Sequence, residues 1–580
     1  MRSRIKAERP DANLGSYGEA YRSFSWSDIE AEFSWAETGK LNIIHEAVDR
    51  WADHPEHRNR KALIFETAGE IKSYSFLDLK RMSAQWAGLL KQYGFEKGDR
   101  LFMYLDPCPE LYFALLACAR LGVVLCPLYP TLGFDELEDR LQNALPKAVL
   151  THPDLAESLP PESMTAVPHV LLVRGPAPGI CGGEEVIEGV PETMPEECEP
   201  VWVHDEDALY LLYTSGSTGP PKGVVHAHRD MVGLKMTARN VLDLTADDIL
   251  WTDGHPAWVT GTVYSTFGPW LCGATSVVTA DPFSASTWYR TLEKHHVTVW
   301  YTTPRTIRRL MDEGEDLPGR YDFGSLRHIS SVGETLGPAL FHWVRSNIGL
   351  APHDTWWMTE TGMICLANFP SMDVKPGSMG KPVPGVEAAV IDESGERLPV
   401  LTLGQLALKP GWPSMMREIW RDELRYDAYF RLPGWFLTGD MALEDEDGYF
   451  FHQGRMDDLI KVAEKLIGPY EIEQVLCRHP AVHEAAVISK ETVGGRPALK
   501  AFATIDESFK PSARLNHEIR QFVKANLSSD ITVTQVAFVD ELPKTRSGKL
   551  IRRVLRAREL GLPGGDPLRL EEEPSADVDS

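Results

Sequence analysis

Helix-period and strand-period segments alternate along most of this 580-residue chain. Apolar positions recur at helical spacing over residues 41–51, 110–121 and 135–144. Short apolar runs at 101–105, 123–128, 148–151 and 170–173 fit buried strands. After a Pro-, Gly- and Glu-rich stretch at 152–205 the alternation resumes at 208–213, with strands predicted at 297–301 and 328–332. Helices alternating with short apolar runs predict parallel sheets covered on both faces. From 380 to 453 the pattern changes to short strands and turns (387–391, 405–408, 449–452), which predicts a small antiparallel sheet or barrel. Beyond Gly454 it changes again, to a helix at 470–478, strands at 485–488 and 498–504 and a helix at 515–525. Residues 1–40 carry weak periodicity and are expected to lie as an arm on the body. The acidic end is expected to fray.

Apolar residues make up 43% of the chain and charged residues 25%, ordinary for a folded protein. Lys and Arg number 59 against 84 Asp and Glu, a net charge of −25. Such a chain repels nucleic acid and anionic membranes as a whole. An anionic substrate then needs locally focused positive charge or backbone N–H groups. The eight cysteines form no Cys-x-x-Cys pair, as expected for reduced thiols in a cytoplasmic protein without a zinc site. Met1 to Pro10 is of mixed charge with no apolar run after it, so no secretory signal is expected. The longest apolar stretch, 111–130, is broken by Arg120 and Gly122 and reads as a buried helix followed by a strand.

One segment meets the need for focused positive charge. Tyr213-Thr214-Ser215-Gly216-Ser217-Thr218-Gly219-Pro220-Pro221-Lys222-Gly223 follows an apolar strand. Glycines and small hydroxyl residues let backbone N–H groups turn inward, and one Lys adds a cation, which suits a polyphosphate. It is not a Walker A loop, because Lys222 precedes Gly223 rather than a Ser or Thr. A flexible Ser/Gly linker is the alternative reading.

The segment resembles the phosphate loop of the adenylate-forming superfamily of acyl-CoA synthetases, peptide-synthetase adenylation domains and luciferases. Four further segments agree with that resemblance, in the family's order. They are Trp356-Trp357-Met358-Thr359-Glu360-Thr361-Gly362, Trp435-Phe436-Leu437-Thr438-Gly439-Asp440, Gly454-Arg455-Met456-Asp457-Asp458 and Pro543-Lys544-Thr545-Arg546-Ser547-Gly548-Lys549. Trp258-Val259-Thr260-Gly261, Ser331-Val332-Gly333-Glu334 and Lys375-Pro376-Gly377-Ser378-Met379-Gly380 resemble acetyl-CoA synthetases in particular.

The resemblance implies a large N-terminal α/β domain (1–455) of two sheet lobes with a small β-barrel-like subdomain. A mobile C-terminal α+β domain (456–565) and an acidic tail (566–580) would follow. It implies ATP-dependent activation of a short carboxylic acid, acetate first and propionate second, to an acyl-adenylate with pyrophosphate release. Transfer to CoA then gives acyl-CoA and AMP; the same residues would serve the reverse direction. Lys549, Thr359 and Glu360 are the implied catalytic residues, with Glu360 also the Mg²⁺ ligand. Nucleotide binding falls to Thr214, Ser215, Gly216, Ser217, Thr218, Gly219, Lys222, Gly333, Glu334, Thr335, Asp354, Thr355, Trp356, Asp440 and Arg455. Trp357, Val259, Thr260 and Val332 would line the acid pocket, with Trp357 the wall that shortens it. Asp457 would be the hinge. ATP, CoA and Mg²⁺ are the implied small-molecule partners and cofactors, and enzymes that acetylate and deacetylate Lys549 are further candidate partners.

One segment departs from the pattern. Acetyl-CoA synthetases carry Ser-Gly-x-Arg after the hinge, where this chain reads Val462-Ala463-Glu464-Lys465-Leu466. Glu464 in place of Gly would narrow the pantetheine tunnel, and Leu466 replaces the Arg. The departure leaves open a ligase with a non-CoA acceptor, or a nucleotide-binding regulator without turnover.

Overall fold

The computed structural model describes residues 4–67, 69–173, 184–187, 194–214, 221–314, 316–456, 460–462, 465–467, 469–491, 497–506, 508–526, 533–544 and 550–559. Ser215 to Gly219, Asp457, Ala463, Glu464, Lys549 and the acidic tail lie outside these.

Two large sheets form the body. In one, the strands run in the order Glu418–Ile419, Lys222–Ala227, Ala208–Thr214, Val124–Leu128, Arg100–Tyr104, Ala148–Thr151, His169–Val173 and Glu184–Ile187. In the other the order is Lys381–Pro382, Leu366–Ala367, Pro352–Trp356, His328–Ser331, Val299–Thr302, Ile249–Thr252, Thr275–Thr279, Lys61–Thr67 and Glu70–Ser75. The centres of both are parallel, as the alternating pattern predicts. The margins differ. Ala208–Thr214 with Lys222–Ala227 and Lys61–Thr67 with Glu70–Ser75 are antiparallel hairpins, because their connections are too short for a crossover.

The Pro109–Leu121 helix shows how burial hides periodicity. It starts at a Pro in its first turn and stops at Gly122 in the left-handed region (φ 67°), and every residue but Glu110 is buried. It has no polar face, so its sequence pattern is a run rather than a stripe. Among the described residues no helix is long and apolar enough to cross a membrane.

The small β unit is a four-stranded antiparallel sheet of Ala388–Ile391, Gly404–Leu408, Phe436–Glu444 and Phe450–Arg455. The last part of the chain packs helices Pro469–Leu476 and Ala513–Asn526 on a sheet of Val482–Glu491, Pro497–Ile505 and Val533–Phe538, with an apolar cluster of its own. The N-terminal arm contains short helices at Tyr17–Ser23, Trp26–Glu30 and Trp35–Thr38. It is tied down by tertiary contacts rather than by its own periodicity. Ile5 bridges to Val374, and the Tyr17 and Tyr21 hydroxyls donate to the carbonyls of Pro382 and Val386. The described cysteines are all free thiols.

Candidate active site

Parallel pairing brings the carboxyl ends of Val299–Thr302, His328–Ser331 and Pro352–Trp356 to one edge of their sheet. That edge is where α/β sheets open a ligand crevice. Val332 to Thr335 leave one of these ends and Trp357 to Glu360 another, so segments distant in sequence converge there.

The Ser/Gly segment joins two antiparallel strands. Thr214 pairs with Lys222 in register, which holds the two strands of this hairpin side by side. Lys222, at the return of this hairpin, reaches Glu360: the ammonium lies 2.6 Å from Oε1. The Tyr429 hydroxyl donates to the same oxygen over 2.7 Å, and Lys222 also donates to that hydroxyl. Glu360 is 4% exposed. Burial alone would raise its pKa. The Lys222 charge and the hydrogen bonds from Lys222 and Tyr429 outweigh it and hold the carboxyl down to about 2. Glu360 is therefore ionised at any physiological pH. Both donors sit on Oε1 of an ionised carboxylate, a hard oxygen ligand whose chemistry fits Mg²⁺.

The turn that carries Glu360 is held from below. Its Thr359 carbonyl accepts from His226 Nε2 over 2.7 Å, and His226 Nδ1 lies 2.6 Å from the fully buried Asp230. Gly362 ends the turn at φ 67°. A Cβ there would sit 2.1 Å from the Ser414 carbonyl oxygen and 2.6 Å from the His226 ring, so both conformation and space demand glycine.

Asp440 lies where the small β sheet meets the body. Trp356 Nε1 donates to its Oδ2 over 2.8 Å, and Arg455, its cross-strand partner, donates to Oδ1 over 3.0 Å. His452 stands 3.7 Å from Asp440 Oδ2 and shares a hydrogen bond with Thr335. Asp354 is buried beneath the site. Burial pushes it up to about 7 against hydrogen bonds from Ser331 Oγ and the backbone N–H groups of Leu336 and Thr355. Glu334 is raised too, by burial, with Arg308 and Lys544 opposing.

Val259, Thr260, Val332 and Trp357 are all buried, the three apolar ones in one cluster. Gly261 lets the Val259–Thr262 turn pass its neighbour closely: a Cβ there would meet the His255 carbonyl oxygen at 2.1 Å. Lys544 bridges to Leu550, the described residues on either side of the segment that contains Lys549. Lys544 ion-pairs with Glu484 at 2.6 Å, and Glu484 lies 3.8 Å from Arg308, which acts on Glu334.

Several of the described candidates thus lie on segments that leave the carboxyl ends of neighbouring strands. Tyr429, His226 and Asp230 were not foreseen. His226 and Asp230 stand four residues apart just after the phosphate loop, a visible if slight signal. Nothing local marks Tyr429, which meets Glu360 only through the tertiary fold.

At this edge Lys222, just after the Ser/Gly segment, meets the buried carboxylate of Glu360. The chain belongs to the AMP-binding enzyme family: the family model matches residues 48–420, and the model of the AMP-binding enzyme C-terminal domain matches 471–549. It is 44% identical over 572 residues to the acetyl-coenzyme A synthetase of Bacillus subtilis (strain 168), covering 98% of this chain and 99% of that one. The acetyl-coenzyme A synthetase of Methanothrix soehngenii is 37% identical, covering 92% of this chain and 84% of that one. Among solved structures, the anthranilate CoA ligase AuaEII in complex with anthranoyl-AMP matches with a TM-score of 0.81 at 26% identity, covering 93% of this chain and 99% of that one. A benzoate CoA ligase from Burkholderia xenovorans LB400 matches with a TM-score of 0.78 at 25% identity, covering 89% and 100%.

Proposed function

We propose that this protein activates acetate, and propionate second, with ATP and transfers the acyl group to CoA. The observation that carries the reading is the buried, ionised Glu360 tied to Lys222 at the return of the phosphate hairpin. In the first step a carboxylate oxygen of the acid attacks the α-phosphorus of ATP. A new P–O bond forms, the α–β bridge breaks, and pyrophosphate leaves. In the second step the CoA sulfur attacks the acyl carbon. A C–S bond forms, the C–O bond to AMP breaks, and the thiol proton passes to solvent.

Lys222 and the backbone of residues 215–219 bind the phosphates. Glu360 would hold Mg²⁺, which supplies charge neutralisation to the phosphates when bound. His226 and Asp230 keep the Thr359–Glu360 turn in place. Asp440, braced by Trp356 and Arg455, accepts the ribose hydroxyls. Glu334, Thr335, Gly333, Asp354 and Thr355 complete the nucleotide side. Lys549 enters to stabilise charge at the α-phosphate and leaves for the second step as the domain beyond residue 455 turns about Asp457. Trp357 closes the acid pocket against Val259, Thr260 and Val332. The enzyme works in the cytoplasm, and acetylation of Lys549 would switch off the first step by removing its charge.

Two assays on one preparation test this: acid-dependent exchange of labelled pyrophosphate into ATP, and acid- and CoA-dependent AMP release, with acetate, propionate, butyrate and benzoate. Both running, with acetate or propionate leading, supports the reading. Exchange without CoA turnover moves the acceptor away from CoA. The Ile460–Val462 and Lys465–Ile467 strands pair with Val462 opposite Lys465, so the divergent residues 463 and 464 form their connection, and Glu464→Gly is then the variant to make. Absence of both activities overturns the proposal.

A further inference from the structure

We propose that Tyr301 is a specificity-positioning residue, holding the Trp357 indole so that the acid pocket stays short. The inference rests on the reading of Trp357 as the pocket wall and adds what keeps that wall still.

Tyr301 lies on the Val299–Thr302 strand, two strands away from the one that leads into Trp357, and is fully buried. Three hydrogen bonds link it to the wall in one direction. The Thr355 hydroxyl lies 2.7 Å from the Ser331 carbonyl, which only accepts, so Thr355 spends its proton there. Thr355 Oγ1 must then accept from the Tyr301 hydroxyl, 2.9 Å away. With that proton spent, the Tyr301 oxygen accepts from Trp357 Nε1–H, also over 2.9 Å. The chain runs indole, phenol, threonine, carbonyl, crosses three neighbouring strands and leaves no hydroxyl free to turn round. Burial pushes the Tyr301 pKa up, so the hydroxyl stays a neutral donor.

A second restraint acts on the indole. The Tyr264 ring meets Trp357 edge-on at 5.1 Å and Tyr301 at 5.7 Å. Tyr264 is itself fixed: its hydroxyl shares a 2.7 Å hydrogen bond with Thr237 Oγ1 and accepts from the Ile364 backbone N–H. Displacing the indole for a longer acid therefore breaks a buried hydrogen bond and strands an N–H and a phenol oxygen, a cost that acetate avoids. The wall disfavours acids longer than acetate by stiffness as well as by size.

The test compares kcat/KM for acetate, propionate and butyrate in wild type, Tyr301→Phe, Thr355→Val and Trp357→Gly, each checked for its melting temperature. Tyr301→Phe keeps the ring and removes the hydroxyl. The butyrate-to-acetate ratio should rise roughly 3- to 10-fold, the range set by loss of one buried hydrogen bond. Thr355→Val removes the acceptor behind Tyr301 and should raise the same ratio; because it is a ratio between acids, any loss in ATP binding cancels. Trp357→Gly should raise it further, and Tyr301→Phe added to Trp357→Gly should change it no more. If Trp357→Gly widens the acid range while folded Tyr301→Phe and Thr355→Val keep the wild-type ratio, Tyr301 plays no such part and the pocket reading stands. If Trp357→Gly itself leaves the ratio unchanged, the pocket is misplaced and the inference goes with it.

Discussion

Replacing Glu360 with Gln preserves its shape and removes its charge. The native site holds this carboxyl at about 2 against an ordinary value of 4.5, which corresponds to roughly 3 kcal/mol in favour of the ionised form, net of burial. Because the folded value is the lower one, this stability is present above pH 4.5 and is lost as pH falls toward 2. At pH 7.5, Glu360→Gln leaves Lys222, only 16% exposed, beside a neutral amide. Lys222→Met leaves the carboxylate without its cation. Each single change should lower the midpoint of urea unfolding by an amount equivalent to about 2–3 kcal/mol. The double change should cost clearly less than the sum, since an apolar and a neutral group can share the space without an uncompensated charge. Pyrophosphate exchange behaves differently: both singles should lose at least about 100-fold in kcat/KM for Mg·ATP, and the double should recover none of it. Additive destabilisation would refute the coupling drawn from the 2.6 Å contact. Exchange at the wild-type rate in Glu360→Gln would refute its place in the chemistry.

Three further predictions follow from the same site. Asp440→Asn should weaken ATP binding by about 10- to 100-fold by calorimetry, with little effect on the acid KM, because the amide places a donor where ribose hydroxyls need an acceptor; equal losses for ATP and acid would move Asp440 out of the ribose site. Lys549→Ala should abolish exchange yet keep CoA-dependent AMP release from supplied acetyl-adenylate, and loss of both half-reactions would remove its step-specific role. Asp354, pushed up to about 7, contributes stability that is full below about pH 4 and is lost as pH rises to 7. Asp354→Asn should therefore flatten the change in unfolding midpoint between pH 5 and pH 8, and an unchanged slope would show that another group carries it.

The sequence by itself determined the parallel centres of both sheets, the change to a small antiparallel sheet near residue 380 and the helix-and-strand unit at the end, because each has its own apolar period. It also marked Thr214, Lys222, Glu360, Asp440 and Arg455, since short motifs keep their chemistry within a few residues. It did not show the hairpins at the sheet margins, where a short connection rather than a period sets strand direction. The N-terminal arm was just as silent, because its helices are held by Val374, Pro382 and Val386, more than 300 positions away. Only the tertiary structure decided that Tyr429 would share Glu360 with Lys222, that His226 would brace the turn from beneath, and that Tyr301 would reach Trp357 across the sheet. Those contacts span 69, 133 and 56 positions. No local pattern encodes such distances: parallel pairing sets the strands of the Tyr301–Trp357 contact two apart in one sheet, and the other two contacts depend on how segments outside that sheet pack.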